Sequence, residues 1–180
     1  MGQVGSELTT LVILRGNAGS GKTTIARETR LRCGRGIAIV SQDVIRRDLL
    51  REQDVPGGVN IGLIDAIARH TLDEGYHVIL EGVFHASHYG AMLGALRREH
   101  RGRTSCFYFD IPFEETLRRH ASRPQSAEFG EAEMRSWYRP LDLVPWLEEH
   151  RIDAAHSLNE AIDVVMAESG IPRDTHSHDA

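Results

Sequence analysis

The sequence of 180 residues lacks several features that define whole classes of protein. Its two cysteines, Cys33 and Cys106, lie far apart and outside any CxxC pattern, which excludes a disulfide framework and a cysteine zinc site. No apolar run approaches the roughly 18 residues of a membrane span, and the N-terminus has no basic segment followed by an apolar stretch. We therefore expect a cytoplasmic protein without a membrane partner, in which both cysteines fill the core.

Lysine is almost missing, since Lys22 is the one lysine among 21 lysine and arginine residues. The net charge of -5 divides into +3 over residues 1–60 and -8 over the remainder. This balance argues against a chain built mainly to coat nucleic acid, but it permits a local anion site in the first third. A chain of this length that is 41% hydrophobic buries one ordinary core. We predict one domain over residues 1–170 and a disordered tail over 171–180.

Short apolar runs alternate with helical patterns along the chain. The runs predict buried strands at 11–14, 37–40, 77–80 and 105–109, with a fifth strand at 150–154 whose apolar content is poor. Helical periodicity predicts helices at 23–32, 44–51, 61–74, 87–101 and 112–120, and a last helix from the Ser157 and Glu160 capping box to residue 168. This order is typical of an α/β protein in which a parallel sheet carries helices on both faces and binds ligands at the carboxyl ends of its strands.

Residues 16–23, GNAGSGKT, match the pattern GxxxxGK[ST] directly after a predicted strand and at the start of a predicted helix. Glycines let backbone N–H groups turn inward around phosphates, and the helix N-terminus adds partial positive charge. Lys22 is then a compact point charge for the β- and γ-phosphates, a role that a planar guanidinium fills poorly, and the Thr23 hydroxyl binds Mg²⁺. The alternative is a chance glycine turn. The predicted nucleotide-binding residues are Gly16, Asn17, Ala18, Gly19, Ser20, Gly21, Lys22, Thr23 and Thr24.

The rest of the sequence narrows the class of P-loop protein. No lysine remains to build the Asn/Thr-Lys-x-Asp guanine motif of GTPases. Four segments that follow successive predicted strands, the P-loop, SQDVIRRD, VILEGVF and FDIPFEETLRRHASRP, give residues 10–167 a resemblance to P-loop kinases of the nucleoside monophosphate kinase fold. Within that fold, the chain resembles the cluster of polynucleotide 5′-kinase, chloramphenicol phosphotransferase and zeta toxin. The resemblance implies a three-layer α/β/α kinase domain with a five-stranded parallel sheet, a small helical lid over about 119–145, and ATP and Mg²⁺ as cofactors.

Two charged residues in SQDVIRRD lie one helical turn apart. Asp43 follows the second strand, and Arg46 shares its helix face three residues later. The resemblance implies that Asp43 takes the proton of the attacking hydroxyl and that Arg46 holds the transferring phosphoryl group. The alternative for Asp43 is a helix N-cap. We predict that Arg47 and Arg51 face solvent.

Further charged residues are expected around the phosphates. Glu81 ends the third strand, beside the P-loop strand, where the resemblance implies that it supports Mg²⁺ together with Thr23; the alternative is a carboxylate that caps the strand end. The resemblance implies that Arg119 and Arg123 are lid arginines that neutralise the transferring phosphate; the alternative is that they form a solvated face. Arg135 is a further candidate for a lid cation.

Aromatic side chains and histidines complete the candidate site. His85 and His88 follow the third strand, where they either contact substrate or play a structural part. Trp137 and Tyr138 either pack the lid or stack on a substrate ring, and we predict packing. The adenine loop is expected near residues 155–157.

The resulting prediction is an ATP-dependent phosphotransferase that moves the γ-phosphoryl group of ATP to a hydroxyl of a small molecule, such as an antibiotic, a sugar or a nucleoside. The substrate is expected between the helix after Asp43, the Gly57–Gly58 loop and residues 85–89. A polynucleotide 5′-hydroxyl or a nucleotide-sugar stays open as the acceptor, although the sequence contains no basic track interleaved with aromatic residues for a nucleic acid strand. A regulatory nucleotide-binding ATPase domain is the alternative from another class, and the oligomeric state is left open.

Overall fold

The protein is built on one parallel β-sheet. The computed structural model describes residues 2–121 and 129–172, and within them five strands pair in the order β2-β3-β1-β4-β5. All four strand pairs are parallel, which confirms the predicted α/β class and the five-stranded sheet. The strands are β1 (Thr10–Gly16), β2 (Ile37–Ser41), β3 (His77–Gly82), β4 (Arg103–Asp110) and β5 (His150–Asp153).

Helices cover both faces of the sheet. One face packs against α1 and α6, and the opposite face packs against α2 and α3. Shorter helices, α4 and α5, lie at the carboxyl edge of the sheet, within or next to the predicted lid. In the described residues the helices are α1 (Lys22–Cys33), α2 (Val59–Asp73), α3 (Ala86–Glu99), α4 (Phe113–Ala121), α5 (Glu131–Trp137) and α6 (Leu158–Ser169).

The central strand β1 is buried on both faces because its side chains alternate between two cores. Leu11 and Ile13 pack toward α2 and α3, whereas Val12 and Leu14 pack toward α1 and α6. Each such side chain contributes about 1.5–3 kcal/mol by leaving water. The edge strand β5 buries only Ile152 of its four residues, which explains its weak apolar signal in the sequence.

The register of the strands brings the P-loop next to β3 and β4. Leu14 of β1 pairs with Glu81 of β3, and Gly16 pairs with Phe109 of β4. Gly16 has φ 144°, and a Cβ atom there would lie 2.7 Å from the carbonyl oxygen of Phe109. The chain therefore needs glycine at the point where β1 passes into the P-loop.

The segment after β2 differs from the α-helix predicted there. It forms a π-helical turn over Val44–Leu49. The backbone N–H of Glu52 donates to the carbonyl of Arg46 at 2.8 Å, which closes this wide turn. Glu52 is held at that point because its carboxylate accepts the backbone N–H groups of Val59 and Asn60, at 2.7 and 2.9 Å, and so caps α2. By capping α2, Glu52 is held where its own N–H can close the π-helical turn.

The structure also bears on the cysteines and the predicted tail. Cys33 and Cys106 are buried free thiols, as predicted, and burial raises the pKa of Cys106 to about 12. Ile171 packs into the core, and residues 173–180 lie outside the described part of the chain. Among the described helices, none is long and apolar enough to cross a membrane.

A buried histidine makes the stability of this fold dependent on pH. The two ring nitrogens of His100 lie 3.0 Å from Thr9 Oγ1 and 2.8 Å from Thr104 Oγ1, and burial lowers the pKa of His100 below its ordinary 6.5. The unfolded chain therefore takes up the proton first, so stability falls as the pH drops from about 6.5 through the lower folded pKa. We predict that His100→Gln reduces the loss of unfolding free energy between about pH 7 and pH 5, measured by urea denaturation.

His70 provides the matched control, because it is an exposed histidine near the end of α2. His70→Gln should keep the pH dependence of the unmodified protein. If His100→Gln also kept that pH dependence, then burial of His100 would not be its source.

Candidate active site

The loop between β1 and α1 forms a cradle around the side chain of Lys22. The Lys22 ammonium is buried and donates to Gly16 O at 2.7 Å, Asn17 O at 2.8 Å and Ser20 Oγ at 3.0 Å. Gly19 has φ 79°, and a Cβ atom there would lie 2.6 Å from the carbonyl oxygen of Thr116. The cradle therefore depends on glycine, and the first N–H groups of α1 lie at its base without partners inside the helix. These features fit the binding of a polyphosphate.

The two predicted metal ligands lie together beside this cradle. Thr23 Oγ1 donates to Glu81 Oε2 at 2.9 Å, and Glu81 is buried at the end of β3. Glu81 thus contacts the start of α1 and does not simply cap its own strand. A hydroxyl and a carboxylate are hard oxygen ligands, which suit Mg²⁺ when phosphates and water complete its shell. No cluster of three or more metal-ligating side chains occurs in the residues that the structure describes, and a Mg²⁺ site of this kind does not require one.

A pocket of about 620 Å³, here called the central pocket, opens beside the P-loop. Its wall combines the P-loop, the π-helical turn, the start of α3 and the segment around α5. The predicted loop at Gly57–Gly58 contributes through the earlier residues Gln53 and Asp54, and not through the glycine pair. Lining residues include Asn17, Ala18, Gln42, Asp43, Arg46, Arg47, Asp54, His85, His88, Met134, Trp137, Tyr138, Arg139 and Asp142.

Asp43 and Arg46 meet on the wall of the central pocket. Asp43 Oδ1 lies 3.2 Å from Arg46 Nη2, and the Asp43 side chain is 62% exposed. Asp43 has helical backbone angles and makes no capping hydrogen bond, so its side chain is not a helix cap. Arg46 also donates from Nη1 to the carbonyl of Glu52 at 3.1 Å, which fixes its position. The expected pair on one helix face is therefore present.

The prediction that Arg47 faces solvent is wrong. Arg47 lines the central pocket, and its guanidinium carbon lies 5.4 Å from the centre of the Phe129 ring. The π-helical turn advances the chain by a smaller angle per residue than an α-helix, so the position of Arg47 differs from the helical expectation. Arg51 is exposed, as predicted.

The predicted lid arginines have different positions. Arg119 donates from Nη1 to the P-loop carbonyl of Ser20 at 3.2 Å and from Nε to Glu115 at 2.6 Å. Hydrogen bonds from Arg118 and Arg119 lower the pKa of Glu115 to about 2, so its carboxylate stays charged at acidic pH values where an ordinary glutamate is protonated. Arg123 lies outside the described residues. Arg135 pairs with a glutamate and lies over the ring of Phe113, on the surface of α5.

A second pocket, here called the outer pocket, is lined in part by Arg119 and has a volume of about 450 Å³. The P-loop residues Ser20, Gly21 and Thr24 line it, together with residues 152–158. The predicted adenine loop at 155–157 is part of this wall.

Aromatic and histidine side chains complete the wall of the central pocket. His88 Nδ1 lies 3.3 Å from Asp54 Oδ1, and His85 Nδ1 lies 3.7 Å from Asp142 Oδ2. Trp137 packs on Phe129 with ring centres 5.2 Å apart. It is nevertheless 44% exposed, so packing against the lid leaves part of the indole accessible from the pocket.

Arg15, at the end of β1, is fully buried and was not expected from the sequence. Its guanidinium donates twice to the carbonyl of Phe84, at 3.2 and 2.8 Å, and twice to Glu149, at 2.8 and 3.0 Å. A fifth hydrogen bond reaches Asp142 at 3.2 Å, so each of its five N–H groups has an acceptor. The signal in the sequence is an arginine at the end of an apolar strand, but its acidic partners lie more than a hundred residues away.

Two of these partners, Asp142 and Phe84, make further hydrogen bonds beside the central pocket. Asp142 also accepts the backbone N–H of Ala86 at 2.8 Å, at the start of α3. Although burial opposes it, the neighbouring His85 ring and the hydrogen bond from the Ala86 N–H hold the pKa of Asp142 below its ordinary value. Phe84 is buried with φ 45°, and its N–H donates to Gln42 Oε1 at 3.1 Å. A bulky residue in this left-handed region is strained, and contacts on both sides hold it there.

Comparison with known proteins agrees with this geometry. The family model described as AAA domain matches residues 11–142, most of the chain, so the protein belongs to this family. No curated protein sequence matches it significantly.

Solved structures resemble this chain along nearly its whole length. An APS kinase of Mycobacterium tuberculosis, bound to AMPPNP and APS, is 16% identical with a TM-score of 0.63, over 92% of this chain and 97% of that chain. A sugar kinase of Janibacter sp. is 19% identical with a TM-score of 0.65, over 91% and 95%. The tunicamycin resistance protein of Deinococcus radiodurans is 15% identical with a TM-score of 0.64, over 92% and 98%. The predicted resemblance to P-loop kinases is confirmed at the level of the fold.

We predict that Arg15→Ala destabilises the protein strongly, because it leaves Glu149 and Asp142 without their common cation. Loss of one partner from a buried ion pair costs about 3–5 kcal/mol, which should appear as a lower urea midpoint. The matched control is Arg101→Ala at an exposed arginine, expected to change stability by less than about 0.5 kcal/mol. Equal stability of the two variants would contradict a central role for Arg15.

Proposed function

We propose that this protein is an ATP-dependent phosphotransferase that moves the γ-phosphoryl group of ATP to a hydroxyl of a small molecule. One observation carries the proposal. The P-loop presents Lys22 and the Thr23–Glu81 pair to its own cradle, while Asn17 and Ala18 of the same loop line a pocket that also contains Asp43. The donor site and the acceptor site thus lie next to each other on one loop. Phosphoryl transfer requires such proximity.

The donor side depends on charge and on backbone donors. The P-loop N–H groups and Lys22 would hold the phosphates, the outer pocket would hold the nucleoside, and Thr23 with Glu81 would hold Mg²⁺. When bound, ATP supplies the phosphoryl group and Mg²⁺ neutralises part of its charge. Arg119, which is hydrogen-bonded to Ser20 O, adds a cation at the same loop. Arg123 stays a predicted further cation.

The acceptor side depends on Asp43. Its largely exposed carboxylate is available to accept the proton of a substrate hydroxyl. Arg46, fixed by Asp43 and by the carbonyl of Glu52, supplies positive charge where a phosphoryl group would pass from donor to acceptor.

The size and lining of the central pocket support a small-molecule acceptor. Its volume of about 620 Å³ lies within the roughly 300–1,000 Å³ of small-molecule sites, and its wall combines aromatic rings with converging polar groups. We infer an antibiotic, a sugar or a nucleoside as the acceptor class. The names of two similar structures, a sugar kinase and a tunicamycin resistance protein, agree with this range. A similar structure from an RNA repair complex keeps a polynucleotide 5′-hydroxyl among the compounds to be tested.

We predict that the protein transfers labelled γ-phosphate from Mg²⁺–ATP to one class in a panel of aminoglycosides, phenicols, sugars, nucleosides, nucleotide-sugars and 5′-hydroxyl oligonucleotides. Lys22→Ala should lower transfer at least about 100-fold, because the main cation of the cradle is lost. Asp43→Asn should lower kcat by about 10²–10⁴-fold, because the acceptor hydroxyl loses its base.

Asp48→Asn is the matched control, since Asp48 is an exposed carboxylate in the same π-helical turn. It should retain transfer. Slow release of free phosphate with no labelled product, unchanged in Asp43→Asn, would contradict the proposal and support a regulatory ATPase domain.

A further inference from the structure

One side-chain amide of the P-loop forms hydrogen bonds with the segment that begins at the end of α5. Asn17 Nδ2 donates to the carbonyl oxygen of Arg139 at 2.8 Å, and the backbone N–H of Arg139 donates to Asn17 Oδ1 at 2.8 Å. Asn17 is only 5% exposed. The oxygen and the nitrogen of the amide both bind the backbone of Arg139. This pair of hydrogen bonds fixes the distance and the orientation of Arg139 relative to the P-loop.

The segment that Asn17 holds, residues 137–142, is here called the strap. Trp137, Tyr138, Arg139 and Asp142 of the strap all line the central pocket. A change in the position of Asn17 would consequently move a wall of the pocket in which the acceptor is proposed to bind.

The backbone of Asn17 is held by the phosphate-binding lysine. Lys22 Nζ donates to the carbonyl oxygen of Asn17 at 2.8 Å. Asn17 thus contacts Lys22 through its main chain and the strap through its side chain. If Lys22 turns from this carbonyl toward a phosphate, the restraint on Asn17 changes, and the amide carries that change to Arg139.

We propose that Asn17 is a positioning residue that couples nucleotide binding in the P-loop to the shape of the central pocket. This inference rests on the proposed function, because it requires a nucleotide in the P-loop. The Asn17 amide is directed to Arg139, so it acts on the strap and does not hold the phosphates itself. Coupling between two sites in proteins typically amounts to about 5- to 150-fold in affinity.

Trp137 provides a reporter within the strap. The chain has two tryptophans, so Trp146→Phe leaves Trp137 as the single indole. In this background, titration with AMPPNP and Mg²⁺ should change the Trp137 emission with the same saturation as binding measured by calorimetry. Asn17→Ala should reduce the amplitude at saturating AMPPNP several-fold, because the amide that joins the P-loop to Arg139 is lost, and calorimetry on the same variant gives the AMPPNP concentration that saturates it. Ser136→Ala, an exposed position next to the strap, is the control and should keep the full amplitude.

Asn17→Ser separates coupling from loss of structure, because it keeps a neutral polar side chain at this buried position but is too short to engage both the N–H and the carbonyl of Arg139. A reduced amplitude is expected, as for Asn17→Ala, and Asn17→Ser decides the question if Asn17→Ala does not fold. Full amplitude in the Asn17 variant that folds would overturn the proposal. Binding of AMPPNP without any Trp137 change in the Trp146→Phe protein would overturn the coupling alone, whereas failure to bind AMPPNP would overturn the proposed function and the coupling with it.

Discussion

The carboxyl edge of this sheet depends on the buried guanidinium of Arg15. A cation without water is costly, and here five hydrogen bonds, three of them to carboxylates, offset the loss of hydration. These bonds join the end of β1 to Phe84 after β3, to Asp142 in the strap and to Glu149 before β5. Because the P-loop begins at the very next residue, the frame that supports the P-loop also supports a wall of the central pocket.

This frame explains how one loop can serve two sites. On one side, the P-loop encloses Lys22 and brings Thr23 to Glu81. On the other side, it borders the central pocket with Asp43 and the strap. The proposed phosphoryl transfer needs accurate placement and charge neutralisation more than covalent chemistry, and rigid connections between these groups would provide that placement. The pairing of Asn17 with Arg139 belongs to the same set of connections.

The features that could be predicted from the sequence are local. Glycine spacing and the change from an apolar run to a helix are enough to locate the P-loop, and a parallel sheet with helices on both faces follows from alternating β and α units. The position of Arg47 was missed because the π-helical turn depends on Glu52, whose carboxylate caps a different helix. Arg15 and the partnership of Asn17 with Arg139 were missed because their contacts join residues more than a hundred positions apart, which no local pattern encodes.

The central claim, a nucleotide site in which Lys22 holds phosphate and Thr23 with Glu81 holds Mg²⁺, is tested most directly by calorimetric titration with ATP, in Mg²⁺ and in EDTA. The account predicts that Mg²⁺ strengthens binding at least about tenfold, or about 1.4 kcal/mol. Thr23→Val, which keeps the shape of the side chain and removes its hydroxyl, should abolish that gain and leave the affinity in EDTA nearly unchanged. Equal gains from Mg²⁺ in both proteins would contradict the assigned metal site, and failure of the unmodified protein to bind ATP would contradict the account as a whole.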